Sequence, residues 1–232
     1  PCSQALIAAG MARVVYASQD PGDISGNGAN SLRDAGIEVV SGFLSHEADQ
    51  QLRVWLTANR NKRTYVTLKW ASSLDGRNAA EDGTSQWISG PLSREHTHIT
   101  RSQIDAIAVG TGTVIADNPE LTARHRDGSL YSEQPIRVIL GETELDPAAR
   151  IFDESEGKGK TVQLRTRDLN SALITLFEMG VRHLMVEGGA VVASEFVRHN
   201  LVNEFLVKHI DLSRATVPAS AAKSDCPRRS PS

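Results

Sequence analysis

The sequence predicts an α/β fold, in which a mostly parallel sheet carries helices on its faces. Three observations support this fold class. Short apolar runs typical of buried strands alternate along the chain with amphipathic helical segments. Glycine pairs follow two of the apolar runs directly, Gly110 with Gly112 and Gly188 with Gly189. The composition, 40% hydrophobic and 23% charged over 232 residues, is ordinary for a globular protein.

The first sixty residues predict two small βα units and a longer helix. Gly10 and Gly36 stand where a glycine commonly ends a helix, and β-branched runs indicate the strands. Leu52, Trp55 and Leu56 define one apolar face of the longer helix. The predicted elements are helices at 3–9, 30–35 and 45–60, a buried strand at 13–18 and a second strand at 37–40. A polar, charged connector at 59–63 marks a predicted domain boundary.

The remaining elements repeat the alternation of strand and helix. In the first strand, alternation places Lys69 on the face opposite Val66, Leu68 and Trp70. Pro91 occupies the first turn of the next helix, where its missing N–H costs nothing. The predicted strands are 65–70, 104–109, 136–140, 161–164, 183–187 and 204–210, and the predicted helices are 91–101, 173–179 and 190–199.

Charge and cysteine content exclude several classes of function. The net charge of −3 gives no general attraction to nucleic acid or to an anionic membrane, so neither is an expected partner. No apolar run approaches the roughly 20 residues that span a bilayer. Cys2 and Cys226 lie at opposite ends and offer no disulfide framework, which favours a reducing, cytoplasmic location. The segment from about residue 211, rich in Ser, Pro and basic residues, is predicted to be disordered.

The two glycine turns predict anion binding, because a turn between strand and helix can present free backbone amides. The first turn is a weak match to a dinucleotide fingerprint, since Ile115 stands where a third glycine would be. Tight strand-to-helix connection is the alternative interpretation. Lys69, Arg101 and Arg124 are candidates for gripping a phosphate, with solvated surface charge as the alternative. Trp87 can stack on a flat ring or serve packing only.

The histidines do not form a recognisable metal-binding motif. His96 and His98 lie on the predicted helix at 91–101 without the carboxylate or cysteine spacing that completes a metal site. We therefore interpret them as surface residues. Motifs of zinc proteases, serine hydrolases and P-loop enzymes do not occur in the sequence.

Four ordered motifs resemble those of a known family. They span residues 69–77, 85–88, 112–124 and 186–189, and together they resemble the reductase domain of the bifunctional RibD family of riboflavin biosynthesis. The segment that begins with Cys2 resembles the end of the zinc deaminase domain of the same family. The resemblance runs from the first residue to about residue 210.

The resemblance implies a dihydrofolate-reductase-like fold, NADPH as cofactor and a homodimer. The implied reaction reduces the ribosyl group of 5-amino-6-(5-phosphoribosylamino)uracil to ribityl by hydride transfer to the sugar C1′. Lys69 and Glu187 match polar groups at the ribose and are the implied catalytic residues. The implied cofactor contacts are Ala71, Trp87, Thr113, Asp117 and Gly189. The implied contacts to the phosphorylated aminopyrimidine substrate are Ser85, Arg101, Leu121 and Arg124.

The same resemblance divides the chain and exposes departures from the family pattern. Residues 1–60 match part of a cytidine-deaminase-like domain, 61–210 the reductase domain without its final strands, and 211–232 a divergent tail. Zinc belongs only to a complete deaminase domain, and Cys2 is the single remnant of its ligands, so we expect no deamination. A truncated or frameshifted gene, or a fragment, would produce this pattern.

Two alternatives stay open at the level of sequence. One is a catalytically inactive fragment or pseudoenzyme that at most binds nucleotide. The other is a related reductase of the same fold that acts on a different pterin or pyrimidine.

Overall fold

The computed structural model describes residues 2–22, 26–72 and 90–209. Its first part is a small α/β unit. Two short parallel strands pair in register from Arg13 opposite Glu38 to Tyr16 opposite Ser41. The elements are α1 (Cys2–Ala8), β1 (Arg13–Tyr16), α2 (Gly28–Asp34), β2 (Glu38–Ser41), α3 (Ser45–Gln51) and α4 (Arg53–Asn61).

The second part is a six-stranded sheet in which the described pairings are parallel. The strands are β3 (Tyr65–Ser72), β4 (Ala106–Gly110), β5 (Ile136–Leu140), β6 (Thr161–Leu164), β7 (His183–Val186) and β8 (Glu204–His209), in the spatial order β6-β5-β4-β7-β3-β8. The helices are α5 (Pro91–Arg101), α6 (Thr111–Asp117), α7 (Leu169–Glu178) and α8 (Ala190–Arg198), with a 3₁₀ turn at Arg150–Phe152. The predicted α/β fold with a mostly parallel sheet and flanking helices is confirmed.

Apolar side chains form a core on each face of the sheet, because successive residues of a strand point to opposite sides. Val66, Leu68 and Val138 pack on one face against α7 and α8. Ile107 and Ile139 pack on the other face with α6 and the loops that follow α6 and β5. Lys69 therefore lies on the second face, as the alternation predicts. Membrane crossing finds no support in the described residues, where no helix is both long and apolar enough.

The structure corrects the prediction of one long helix at 45–60. The helix breaks at Leu52, which ends α3 and precedes α4. The predicted apolar face does not persist through the break. Leu56 is buried, whereas Leu52 is 45% exposed and Trp55 37% exposed.

Three further predictions differ from the structure. The strand at 13–18 is not buried, since β1 alternates between exposed and half-buried residues and Val15 is 49% exposed. Helix α7 begins four residues before the predicted start, because the carboxylate of Asp168 accepts hydrogen bonds from the N–H groups of Asn170 and Ser171. The segment after β4 is helical from Thr111 onward, where the sequence predicts only a glycine turn.

Candidate functional site

A buried carboxylate lies at the carboxyl ends of the central strands. Glu187 follows β7 directly, and the parallel register of β3 and β7 brings Lys69 beside it. Arg101, the last residue of α5, reaches the same carboxylate from above the sheet. Their side chains are 7%, 18% and 13% exposed, respectively, so the three charges interact largely out of water.

Glu187 accepts three charge-assisted hydrogen bonds. Arg101 forms a two-pronged contact, with Nε 2.9 Å from Oε1 and Nη2 3.0 Å from Oε2. Lys69 Nζ donates to Oε2 at 3.3 Å. Burial alone would raise the pKa of Glu187, but the charges of Arg101 and Lys69 and their hydrogen bonds outweigh it and lower that pKa to about 2. The residue is therefore a permanent anion at neutral pH and cannot act as a proton donor.

Arg101 also holds the loop that follows α6. Its Nη1 donates to the carbonyl oxygen of Thr122 at 3.0 Å. Leu121, the preceding residue, is 5% exposed and has a φ of 55°, a left-handed conformation that costs a non-glycine residue energy. The contact with Arg101 fixes this strained loop next to the buried carboxylate.

A histidine of α5 links Arg124 to that helix. The backbone N–H of Arg124 donates to Nδ1 of His98 at 3.2 Å, and its guanidinium pairs with Glu120 at 2.8 Å. Burial lowers the pKa of His98, and the charges of Arg101 and Arg124 lower it further. A neutral ring suits the observed bond, because Nδ1 must be unprotonated to accept it. His98 is thus half-buried and bonded, which corrects its interpretation as a surface residue.

A second lysine lies near Lys69. Lys208 is on β8, opposite Ala71 of β3, and Lys69 lies opposite Leu206, so both lysines project from the same face. Lys208 Nζ lies 2.8 Å from Nδ1 of the exposed His96. Burial lowers the pKa of Lys208, and so does the nearby charge of Lys69. Among the residues that the structure describes, the site therefore contains more cations than carboxylates.

A cavity of about 510 Å³ opens at the same end of the sheet. Its walls come from the start of α6, the ends of β5 and β6 and the first turn of α8. This volume is within the range of small-molecule sites. The lining residues are Gly110, Thr111, Gly112, Thr113, Leu140, Gly141, Thr166, Arg167, Leu169, Gly189, Ala190, Val191, Val192 and Glu195.

Two glycines allow α8 to approach the sheet closely. A Cβ atom on Gly110 would lie 2.6 Å from Cγ2 of Val192, and one on Gly188 would lie 3.0 Å from its Cβ. Neither glycine has a positive φ, so each is required by close packing and not by backbone conformation. The N–H of Gly189 is not free, because it donates to Oγ1 of Thr113 at 3.1 Å. The amides of the following turn have no acceptor within the helix.

Gly110→Ala should lower the free energy of unfolding by about 1–3 kcal/mol, because the new methyl overpacks against Val192. Thermal unfolding of the variant measures the loss. Gly112→Ala is the matched control, since a Cβ there meets nothing within 4 Å and Ala is the better helix former. Adding Val192→Ala to Gly110→Ala should restore stability. A double variant no more stable than the single one would show that the contact is not the cause.

The predicted site residues lie in two places, the cluster at Glu187 and the cavity between α6 and α8. Lys69, Arg101 and Glu187 are in direct contact, with Leu121 and Arg124 in the adjoining loop. Thr113 and Gly189 line the cavity. Ala71 and Asp117 do not line it, and Asp117 is exposed at the end of α6. The predictions for Ser85 and Trp87 lie outside the described residues.

Sequence reasoning missed several contributors. Thr122 acts through a backbone carbonyl, which no side-chain pattern reveals. Thr166 and Arg167 follow β6, an edge strand whose place beside the cavity depends on the strand order. Lys208 and His96 are 112 positions apart. A lysine directly after the apolar run 205–207 was the one available signal.

The predicted zinc remnant is not part of a cluster in the described structure. Cys2 is a free, exposed residue at the start of α1. Within residues 2–22, 26–72 and 90–209, no group of three or more His, Cys, Asp or Glu side chains is arranged to hold a metal ion.

Comparison with known proteins matches this chain to riboflavin biosynthesis proteins named RibD. The riboflavin biosynthesis protein RibD of Mycobacterium tuberculosis is 44% identical over 207 residues, which cover 89% of this chain and 60% of that protein. The protein of the same name from Escherichia coli is 33% identical over 240 residues, covering 89% and 65%. The chain thus spans about three-fifths of the length of these relatives.

Solved structures agree in fold. RibD from Acinetobacter baumannii matches with a TM-score of 0.78 at 33% identity, covering 88% of this chain and 62% of that one. A deaminase and 5-amino-6-(5-phosphoribosylamino)uracil reductase from Thermotoga maritima matches with a TM-score of 0.72 at 35% identity, covering 86% and 60%. The family model described as the RibD C-terminal domain matches residues 64–210. From Thr64 through β8, the chain therefore belongs to the RibD C-terminal domain family.

Proposed function

We propose that this chain binds NADPH in the cavity between α6 and α8 and reduces the ribosyl group of 5-amino-6-(5-phosphoribosylamino)uracil to ribityl. One observation carries the proposal. The carboxylate of Glu187, held by Arg101 and Lys69, is followed immediately by the glycine pair that leads into the cavity lining. A polar, charged site and a site for a flat organic cofactor thus adjoin at one end of the sheet, as in other open α/β proteins.

The cavity lining suits a dinucleotide. Gly110 and Gly188 bring the first turn of α8 close to the sheet, and its unpaired amides favour an anionic phosphate. Hydroxyl groups of Thr111, Thr113 and Thr166 add donors and acceptors. Arg167 also lines the cavity; it pairs with Glu142 at 3.0 Å in an exposed contact, and the 2′-phosphate of NADPH can replace this partner.

The charge balance beside the cavity suits a phosphorylated substrate. Glu187 is shared by Lys69 and Arg101, and Glu120 pairs with both Arg124 and Arg150. Lys208 has no carboxylate within 4 Å among the described residues. A substrate phosphate would offset this excess of positive charge.

The protein residues divide the remaining work. NADPH, when bound, supplies the hydride for the sugar C1′. Glu187 stays ionised, keeps Lys69 in place and holds the arginine that fixes the loop at Thr122. The ring C1′–O4′ bond of the ribose must open as C1′ is reduced, and the N–H groups of Lys69 can hydrogen-bond to O4′ and supply the proton that this oxygen takes up as it becomes a hydroxyl. Arg124, 35% exposed, can exchange Glu120 for a substrate phosphate.

Titration of the purified chain with NADPH and NADH, followed by nucleotide fluorescence, tests the cofactor assignment. We expect micromolar affinity for NADPH and at least tenfold weaker binding of NADH, because one charged hydrogen-bonding group distinguishes the two. Turnover assays should show oxidation of NADPH with the phosphorylated aminopyrimidine and none with dihydrofolate. A folded chain that binds neither nucleotide would contradict the proposal and favour an inactive protein.

The Arg124→Ala variant separates the two sites in the same assays. Binding of the aminopyrimidine should weaken by about tenfold while the affinity for NADPH stays unchanged, because Arg124 does not line the cavity. Equal losses of both affinities would contradict the assignment of Arg124 to the substrate.

A further inference from the structure

The carboxylate of Glu120 is shared by two arginines. Its Oε2 lies 2.8 Å from Nη1 of Arg124, and its Oε1 lies 2.7 Å from Nη2 of Arg150. The Glu120 side chain is only 15% exposed, whereas those of the two arginines are 35% and 55% exposed. The hydrogen bond from Arg150 is the main cause of the lowered pKa of Glu120, against the opposing effect of burial. Glu120 is therefore an anion at neutral pH, and its burial is costly unless a cation stays beside it.

The contact between Arg150 and Glu120 is held by the backbone on both sides. The N–H of Arg150, the first residue of the 3₁₀ turn, donates to Oδ1 of Asn118 at 2.8 Å. The carbonyl of Glu120 accepts a hydrogen bond from Nη1 of the buried Arg137 at 3.4 Å. Both anchors belong to the loop that follows α6, so this contact can persist when the side chain of Arg124 moves.

We propose that Arg150 is a positioning residue for the substrate phosphate, because it stays paired with Glu120 while Arg124 turns from that carboxylate to the phosphate. The inference rests on the proposed function for the role of Arg124. In the chain without ligand, the two arginines share one negative charge. When Arg124 leaves, Arg150 keeps the largely buried carboxylate paired. Without Arg150, the same movement would leave Glu120 without a partner, so Arg124 would stay with it.

Arg150→Met tests the inference in steady-state assays with the aminopyrimidine. We expect the KM for this substrate to rise by about fivefold, because the phosphate must then break the one remaining ion pair of Glu120. The kcat and the affinity for NADPH should stay unchanged, since neither Arg150 nor Glu120 lines the cavity. Arg150→Lys keeps the positive charge and should restore the KM to within about twofold.

Lys158→Met is the matched control for loss of a nearby positive charge. The charge of Lys158 also lowers the pKa of Glu120, but its Nζ pairs with Asp153 at 2.6 Å. We expect this variant to keep the KM of the unmodified chain. A rise equal to that of Arg150→Met would show that general electrostatic attraction, and not the pairing of Glu120, is the cause, which would overturn the proposal.

Glu120→Gln distinguishes positioning from direct contact with the phosphate. This variant removes the charge that competes for Arg124, so its KM should fall below that of the unmodified chain. Adding Arg150→Met to it should have no further effect, because no carboxylate is left to keep paired. A higher KM in the double variant than in Glu120→Gln would assign Arg150 to the phosphate itself and overturn the positioning role.

Ribose 5-phosphate separates failure of this inference from failure of the proposed function, because it carries the phosphosugar part of the substrate and needs no turnover. Calorimetric titration should show about fivefold weaker binding by Arg150→Met than by the unmodified chain. An unchanged affinity in that variant would overturn the inference, and so would no binding of this probe by the folded, unmodified chain. If the proposed function alone fails, the probe binds as expected but the chain does not oxidise NADPH with the aminopyrimidine.

Discussion

Glu187→Gln should remove nearly all of the proposed reductase activity and lower the free energy of unfolding by about 3 kcal/mol, the usual cost of breaking a buried ion pair from one side. The substitution keeps the shape of the side chain but leaves Lys69 and Arg101 without a counter-charge. Lys69 would then be free to move, and the arginine that holds the Thr122 carbonyl would lose its two-pronged contact. We expect turnover to fall by about a hundredfold or more, equivalent to roughly 2.7 kcal/mol of transition-state stabilisation.

The dependence of this effect on pH follows from the lowered pKa of Glu187. The carboxylate contributes stability that is fully present above its unfolded pKa near 4.5 and is lost as the pH falls through the folded value of about 2. The stability difference between the chain and the Glu187→Gln variant should therefore be largest near neutral pH and shrink below about pH 4.5. Urea unfolding at several pH values measures it.

Glu38→Gln is the matched control for Glu187→Gln. Glu38 pairs with Arg13 at 3.3 Å, but both side chains are more than half exposed, at 63% and 58%. Loss of this surface pair should lower the free energy of unfolding by less than about 1 kcal/mol. If Glu187→Gln were no more costly than this surface change, the buried pair would not organise the site.

Arg137→Met should be the most destabilising substitution away from the site, by about 2–4 kcal/mol, because it leaves buried carbonyl oxygens without donors. Arg137 lies on β5 and is fully buried. Its Nη2 donates to the carbonyls of Asp153 and Gly159 at 3.0 and 2.7 Å, and Nη1 donates to that of Glu120 at 3.4 Å. Burial lowers the pKa of Arg137, so the charge itself is costly.

Because burying the charge of Arg137 is costly, Arg137→Met can either lower or raise the free energy of unfolding, and each result is informative. If desolvation of the guanidinium outweighed its hydrogen bonds, Arg137→Met would be neutral or stabilising, as replacement of buried charges sometimes is. We expect the opposite, because three carbonyl oxygens in two separate loops depend on this single side chain. Chemical unfolding measures the difference. Arg165→Met, at an exposed arginine after β6, is the control for loss of a positive charge.

A secondary effect of Arg137→Met should reach the ligand site. The carbonyl of Glu120 directly precedes Leu121, and the segment continues to Arg124. Loosening it should weaken the binding of the phosphorylated substrate more than that of NADPH. Equal weakening of both would indicate a general loss of structure.

The sequence predicted the sheet well where apolar runs were short and clearly bounded. Strands 136–140 and 161–164 have the predicted limits, and the alternation at 65–70 correctly assigned the face of Lys69. The family resemblance, and not the residue pattern alone, identified Lys69 and Glu187 as a polar pair, and the structure brings the two side chains into contact.

The remaining features depend on contacts between distant segments. The break at Leu52 gives no sequence signal, since the residue favours helix. His98 resembled a surface residue because its partner, the Arg124 backbone, is supplied by a loop 26 positions later. The position of Lys208 near Lys69 depends on the strand order, which places β8 beside β3.

The strand order also determines at which stage of folding the ligand site can form. Strands β4, β5 and β6 are neighbours both in the chain and in the sheet, so they can pair as soon as that stretch of chain is available. Strand β3 has β7 and β8 as its neighbours, and the contact between Lys69 and Glu187 joins positions 118 residues apart. Closing so long a loop is slow, because its entropy is lost before the contacts form. During synthesis and refolding, the apolar β3 therefore remains unpaired while β4, β5 and β6 pair. Recovery of ligand binding should consequently lag behind recovery of secondary structure.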